Sequence, residues 1–372
     1  MSEKLDERLD RLRRRIRNLD LALLGLVAER MELAREVGST KRATGIPLRD
    51  FEVEKRVLDR AAAAAGDLGL TPELARALMR QLIEESCRVQ EVEQFSAFSG
   101  SAETILVAGG AGKMGRWLAR FFSSQGHRVR VFDLPGVASP DDLPRAASLA
   151  AGLDGATMAF LAVPIERVGA LIDEITATGF RGLVCDVASL KEHLRPALER
   201  ARAAGVAITS IHPMFGPEAR TLSDKVICIC DCGVATANER VSALFRETAA
   251  TLVPLSLTRH DEIAAYVLGL SHLVNLLFAR VLAGSGLSRR ELHAVGSTTF
   301  RRQFETTVSV ALENPSLYYA IQQANPFTAR LFRELERATA DWTGWVEEEN
   351  PEAFAAGMAA LRGWLGDDMA GG

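Results

Sequence analysis

Leu5, Leu9, Leu12, Ile16, Leu19, Leu23, Leu26, Val27, Met31, Leu33 and Ala34 recur at a helical period without a break, the signature of one amphipathic helix. The run predicts about 36 helical residues, on the order of 55 Å at 1.5 Å per residue. Such a rod is longer than a small domain is wide. It cannot bury its apolar stripe inside one compact chain and calls for a second copy, so a homodimer is expected. Thr44-Gly-Ile-Pro-Leu-Arg-Asp50 breaks the pattern, Asp50 is placed to cap a second helix from Phe51, and Thr71-Pro72 opens a third that runs through Gln90.

Beyond this helical stretch the grammar changes. Residues 94–102 are uncharged, small and turn-prone, a linker composition. Thr104–Ala108 reads as a buried strand, a glycine-rich turn follows, Trp117–Gln125 reads as a helix and Arg128–Phe132 as a second strand. Apolar runs at 156–163, 183–187, 207–211 and 225–230 then alternate with helical stretches, as in a parallel doubly wound sheet. From His260 to Leu365 the pattern is helical again. The fold class is therefore multidomain: an all-α three-helix module over 1–93, a linker over 94–102, a Rossmann-like α/β domain over 103–257 and an all-α domain over 258–372.

Composition narrows the function. The chain has 372 residues, 48% apolar and 25% charged, with a net charge of -4, so it is globular and lacks the basic excess that nucleic-acid binding requires. Apolar windows such as Thr104–Ala111 fall short of the ~20 residues that span a bilayer, and the charged N-terminus has no signal-peptide core. A soluble, cytoplasmic protein with no membrane partner is expected. Cys228, Cys230 and Cys232 alternate along a strand-like segment and read as small core residues, and no cysteine spacing points to a metal site.

Gly110-Ala-Gly112-Lys113-Met114-Gly115 fits G-x-G-x-x-G between a strand and a helix, and Asp133 ends the next strand about 23 residues on. The glycines let backbone N–H groups approach a pyrophosphate at a positive helix end. Asp133 can accept hydrogen bonds from ribose hydroxyls and would repel a 2′-phosphate, which favours NAD over NADP. A nicotinamide cofactor implies hydride chemistry. Asp186-Val-Ala-Ser189-Leu-Lys191 and His212-Pro-Met-Phe-Gly-Pro-Glu218 each follow an apolar strand, where open α/β sheets place their ligands.

These motifs, with Ala162-Val-Pro-Ile165, Arg259-His-Asp261, Leu270-Ser-His272, Phe300-Arg301 and Asn314-Pro-Ser-Leu-Tyr318, resemble the bifunctional chorismate mutase/prephenate dehydrogenase family, and the resemblance covers nearly the whole chain. It implies that the C-terminal helical domain mediates dimerisation and that NAD-dependent oxidative decarboxylation converts prephenate to 4-hydroxyphenylpyruvate without a metal. It implies that His212 takes the proton of the C4 hydroxyl, Ser189 helps hold that hydroxyl, Arg301 grips a carboxylate and His272 lines the pocket. His260 reads either as part of this family pattern or as the cap of a helix opening at Asp261.

The N-terminal module resembles all-α chorismate mutases, whose motif falls here on Arg13, Arg30, Lys41, Asp50, Glu54, Ser86 and Gln90. Helical geometry makes independent sense of the set. Arg30 and Lys41, about 11 residues apart, lie within ~20° of one face, whereas Arg13 is roughly 25 Å from Arg30 and turned about 100° away. Arg13 would then serve the partner's site. By resemblance, Arg13 and Arg30 bind the carboxylates of chorismate, Lys41 and Gln90 face the ether oxygen and Glu54 contacts the C4 hydroxyl. Where the family commonly has an arginine before this glutamate, the chain has Val53. That departure motivates an alternative in which both reactions run on the 4-amino-4-deoxy analogues; another is a monofunctional dehydrogenase with a non-catalytic helical module.

Overall fold

The computed structural model describes residues 2–44, 51–94, 101–137, 143–219, 222, 225–246, 248 and 250–367. They divide into two compact units, Met1–Ser189 with Leu194–Leu257, and Leu190–His193 with Thr258–Gly372.

In the first unit, α1 (Ser2–Thr44) is a single helix of 43 residues, longer than the sequence period predicts. It packs against α3 (Pro72–Gln94), which also packs against α2 (Phe51–Ala65). Thr71 caps α3 as expected, its Oγ1 accepting from the Leu74 N–H at 3.3 Å. Only the C-terminal part of the α1 stripe is covered, at Met31 and Ala34. Leu12, Ile16, Leu19, Leu23 and Leu26 stay exposed, Leu19 by 68% and Leu26 by 64%. Asp50 and most of the linker, 95–100, lie outside the described residues.

The same unit holds a seven-stranded sheet in the order β2-β1-β3-β4-β5-β6-β7. Its strands are β1 (Thr104–Ala108), β2 (Arg128–Phe132), β3 (Met158–Leu161), β4 (Leu183–Asp186), β5 (Ala207–Pro213), β6 (Val226–Asp231) and β7 (Thr251–Ser256). The intervening helices are α4 (Lys113–Ser124), α5 (Leu149–Leu153), α6 (Ile165–Ala177), α7 (Arg195–Ala203) and α8 (Ala235–Arg246). Residues 105–108 of β1 are fully buried, because helices cover both faces of a parallel sheet. Phe121 and Phe122 of α4 meet Phe160 of β3 and Phe245 of α8 in an aromatic core.

The sheet departs from the all-parallel expectation. β6 runs antiparallel to β5, with His212 opposite Cys228, and β7 then runs parallel to β6. The chain returns from β5 directly, the Met214 N–H donating to the Val226 carbonyl at 2.9 Å, instead of crossing over through a helix. The three alternating cysteines are buried here. β7 carries no clear sequence signal because Pro254 interrupts it, which an edge strand tolerates.

The second unit is helical. α9 (Leu257–Ala264), a π-helical stretch (Ala265–Leu270) and α10 (Ser271–Gly284) form one continuous rod, followed by α11 (Arg289–Val295), α12 (Thr298–Ala311), α13 (Pro315–Ala324), α14 (Thr328–Glu347) and α15 (Pro351–Asp367). The rod Leu257–Gly284 corrects the expectation that every apolar window is too short to span a bilayer. It is long and apolar enough by length and composition, with 11% of its most apolar window buried. Its charges lie near its ends, Arg259, Asp261 and Glu262 in the first turns and Arg280 in the last, which leaves an uncharged stretch over 263–279.

Candidate active sites

In the helical module the structure joins two of the predicted residues. The Arg30 guanidinium reaches from α1 to α3, where Nη1 donates to Ser86 Oγ and, at 2.7 Å, to the Leu82 carbonyl. The Ser86 hydroxyl donates to that same carbonyl at 2.6 Å, the back-bond typical of a helical serine. Burial lowers the Arg30 pKa, opposed by the neighbouring Cys87 thiol, and the guanidinium keeps its charge at any physiological pH. The result is a fixed cation at the α1–α3 seam. Lys41 is half-buried further along α1. Arg13 is exposed and paired with Asp10 at 3.3 Å. Glu54 and Gln90 lie on α2 and α3, with side chains outside the described residues, and Val53 is exposed. The Leu82 carbonyl has no motif signal beyond its position four residues before Ser86.

The glycine turn between β1 and α4 is built by close approach. A Cβ on Gly110 would stand 2.5 Å from Cβ of Val131, and one on Gly115 would stand 2.0 Å from the Gly109 carbonyl oxygen. Both positions therefore require glycine. Gly112 is less crowded, with the Gly109 oxygen at 3.2 Å, and it caps α4 without any side-chain hydrogen bond. Uncapped N–H groups at the first turn, at Lys113 and Met114, suit a phosphate oxygen. Gly109 lies outside the six-residue motif but is just as constrained. Its φ is +80°, and a Cβ there would meet the Ala162 oxygen at 2.2 Å. The Asp133 carboxylate closes the turn, accepting from the N–H of Ala111 and of Leu134, each at 2.8 Å. Arg145, which carries no motif signal, donates to the carbonyls of Asp133 and Leu134 and steadies the chain after β2.

Ser189 and His212 follow or end the adjacent strands β4 and β5. Asp186, fully buried at the end of β4, accepts from the Ala188 N–H at 3.0 Å and so shapes the turn that presents the half-buried Ser189. His212 is 6% exposed and followed by the Met214–Ala219 loop. The sheet thus gathers both residues at its carboxyl end, as the strand rule predicts.

The remaining predicted residues belong to the helical unit. His272 opens α10 directly after the π-helical stretch, stacks on Tyr318 with ring centroids 4.0 Å apart, and has a buried Nδ1 without a hydrogen-bond partner. Burial lowers its pKa, so the ring is a neutral polar group at neutral pH. Arg301 is exposed on α12, where Nη2 reaches the His293 carbonyl at 3.5 Å. His260 does not cap a helix, since α9 opens earlier, at Leu257. It lies inside α9 with Nδ1 2.8 Å from Oδ1 of Asp261. The fully buried Asp261 carboxylate also accepts from the N–H groups of Lys191 and Glu192 at 2.8–3.1 Å, a role with no signal in the sequence.

Comparison with known proteins covers all three regions. Residues 12–91 match Chorismate mutase type II, residues 145–250 match Prephenate dehydrogenase, nucleotide-binding domain, and residues 256–360 match Prephenate dehydrogenase, dimerization domain. The T-protein of Enterobacter agglomerans is 26% identical over 359 residues, covering 96% of this chain and 93% of that protein. The 4-amino-4-deoxyprephenate dehydrogenase of Streptomyces pristinaespiralis is 29% identical over 275 residues, 70% of this chain and 91% of its own length. The crystal structure of prephenate dehydrogenase from A. aeolicus, solved with hydroxyphenyl propionate and NAD+, shares the fold with a TM-score of 0.59 at 16% identity, over 72% of this chain and 99% of that one. With a mutase module followed in one chain by both parts of a prephenate dehydrogenase, the protein belongs to the bifunctional chorismate mutase/prephenate dehydrogenase family.

Proposed function

We propose that this chain carries out two consecutive steps of tyrosine biosynthesis, the rearrangement of chorismate to prephenate and the oxidative decarboxylation of prephenate to 4-hydroxyphenylpyruvate. The observation that carries the reading is the fixed Arg30 cation in the module that matches chorismate mutase, joined in one chain to a dehydrogenase sheet. The rearrangement needs no acid, base or nucleophile. It needs a dicarboxylate held compact and charge on the ether oxygen neutralised. Arg30, already oriented by Ser86 and the Leu82 carbonyl, grips one carboxylate, and Lys41 and Gln90 face the ether oxygen. Asp50 and Glu54 complete the substrate contacts. A second copy of the chain covers the exposed α1 stripe and contributes its own Arg13, and the apolar rod of the dimerization-domain match adds a second contact between copies.

The glycine turn, the uncapped start of α4 and Asp133 fit a dinucleotide, with the pyrophosphate on Gly112, Lys113 and Met114 and the ribose hydroxyls on Asp133. Bound NAD+ supplies the hydride acceptor. His212 accepts the C4 hydroxyl proton and Ser189 orients that hydroxyl. Arg301 holds a carboxylate in its guanidinium fork, and neutral His272 adds a polar contact. Loss of the ring carboxylate as CO2 restores aromaticity and makes the step effectively irreversible. A cytoplasmic location goes with these soluble metabolites.

Val53 beside Glu54 favours one competing substrate class, the 4-amino-4-deoxy analogues. Following prephenate formation and NADH formation separately with each C4 variant decides the matter, and chorismate is expected to turn over faster in both. Greater efficiency on the amino substrate would reassign both reactions. Arg30→Ala should lower mutase kcat/KM by about 10²-fold or more while leaving prephenate oxidation intact. A mutase rate that survives this change would demote the helical module to a dimerisation element.

A further inference from the structure

Trp117 lies in the second turn of α4, four residues beyond Lys113. Its indole N–H donates to the Ala219 carbonyl at 2.7 Å. Its ring meets Phe215 edge-on with centroids 5.0 Å apart and stacks on Phe121 at 5.3 Å. Phe215 and Ala219 belong to the loop that leaves β5 immediately after His212 and Pro213. At its start this loop is tied to β6 through the Met214 N–H, and in its middle it turns on itself, the Ala219 N–H donating to the Gly216 carbonyl at 3.1 Å. Trp117 is thus its anchor to the helix whose first turn is the nucleotide turn. The ring is only partly buried and forms one wall of a cleft of about 620 Å³ between α4 and Pro217–Ala219. The partner that satisfies its single donor is a carbonyl of this loop, so a directional bond as well as ring contact ties the loop to α4.

We propose that Trp117 is a positioning residue for the dehydrogenase reaction. By clamping the Met214–Ala219 loop at Phe215 and Ala219, it holds the His212 imidazole at a fixed distance from the nucleotide turn. The proposal rests on the reading of His212 as the proton acceptor. Two contacts separate its parts: the N–H to Ala219 fixes the far end of the loop, and the aromatic edge against Phe215 fixes its height above α4. Loosening the clamp leaves His212 on β5 but lets the segment beside it wander, and sub-ångström misplacement of a base is felt in the proton-transfer step before it is felt in binding.

The test uses the full-length chain with Trp117→Phe, which removes the donor and keeps a ring, Trp117→Leu, which removes both, and His212→Asn in parallel. Steady-state kinetics in H2O and D2O, NAD+ binding by calorimetry, thermal unfolding and the chorismate mutase rate are measured on each preparation. The expected result is a graded fall in prephenate kcat, about 5-fold for Trp117→Phe and about 50-fold for Trp117→Leu. The solvent isotope effect on kcat should rise as proton transfer becomes limiting. The KM for prephenate, NAD+ affinity and mutase rate should stay within about twofold. Unchanged kcat in both variants would overturn the proposal, as would a fall in kcat with an unchanged isotope effect and a lowered melting temperature, which would mark Trp117 as packing only. Full kcat in His212→Asn would instead overturn the assignment of the base, independently of the tryptophan.

Discussion

The sheet domain and the three-helix module obey the same hydrophobic periodicities and end in opposite situations. In β1 every residue from Ile105 to Ala108 is fully buried by its own chain, whereas along α1 Leu19 and Leu26 remain mostly in solvent. Burying one leucine is worth about 1.5–3 kcal/mol, so a stripe of them left open is a large unused driving force. The difference lies in connectivity. A strand inside a doubly wound sheet is flanked by helices from its own crossovers, but a rod of 43 residues outruns the two shorter helices that follow it. Period identifies the apolar face; length decides whether the same chain can cover it.

The sharpest way to separate the regions is chemical. His212→Asn should lower prephenate kcat by about 10²–10⁴-fold and leave chorismate rearrangement and NAD+ affinity untouched, as separate assays on one preparation would show. If the mutase rate fell in step, the two regions would not be energetically independent. The reciprocal change replaces the exposed stripe. Leu19→Glu with Leu26→Glu should cost the mutase about 10-fold or more by placing charge on the stripe that the proposed second copy covers, with prephenate oxidation preserved. Analytical ultracentrifugation and both rates would check it.

Steric tolerance should differ within a single loop. Gly115→Ala places a Cβ 2.0 Å from a carbonyl oxygen, against 3.2 Å for Gly112→Ala. The first should destabilise the sheet domain by about 1–3 kcal/mol in denaturant titrations and weaken NAD+ binding, and the second should mainly weaken binding. The smallest effect concerns pH. Burial lowers the His272 pKa, so below the ordinary histidine value of about 6.5 the unfolded chain binds the proton more readily than the folded one. Stability attributable to this ring is complete above that pH and is lost as pH falls through the folded pKa. His272→Gln should narrow the gap between melting temperatures at pH 7.5 and 5.5 by about 1 °C. His127, also lowered by burial, keeps part of the gap in place.

Residues tied to a period or a turn are legible in the sequence. β1 and β2 fall on the residues their apolar runs mark, and Thr71 caps α3, while Arg30 and Ser86, named only through the family resemblance, turn out to meet across two helices. What stayed hidden depends on partners distant in sequence. Nothing local announces that Asp261 will hold the backbone after Ser189, that Trp117 will reach Ala219, or that β6 will reverse direction. His260 illustrates the limit: its neighbour Asp261 looks like a helix start, yet α9 extends back to Leu257 and the pair becomes internal.

The length of α1 has a genetic consequence. On one rod, the proposed function assigns Arg30 to the site of its own chain, and Arg13, turned away and roughly 25 Å distant, to its neighbour's. Two chains that are each inactive as mutases, one carrying Arg13→Ala and the other Arg30→Ala, would then restore each other when co-expressed. In the mixed dimer, one site combines an intact Arg30 with an intact Arg13, while the other collects both lesions. Alleles of this one cistron should therefore complement one another, as alleles of separate genes do.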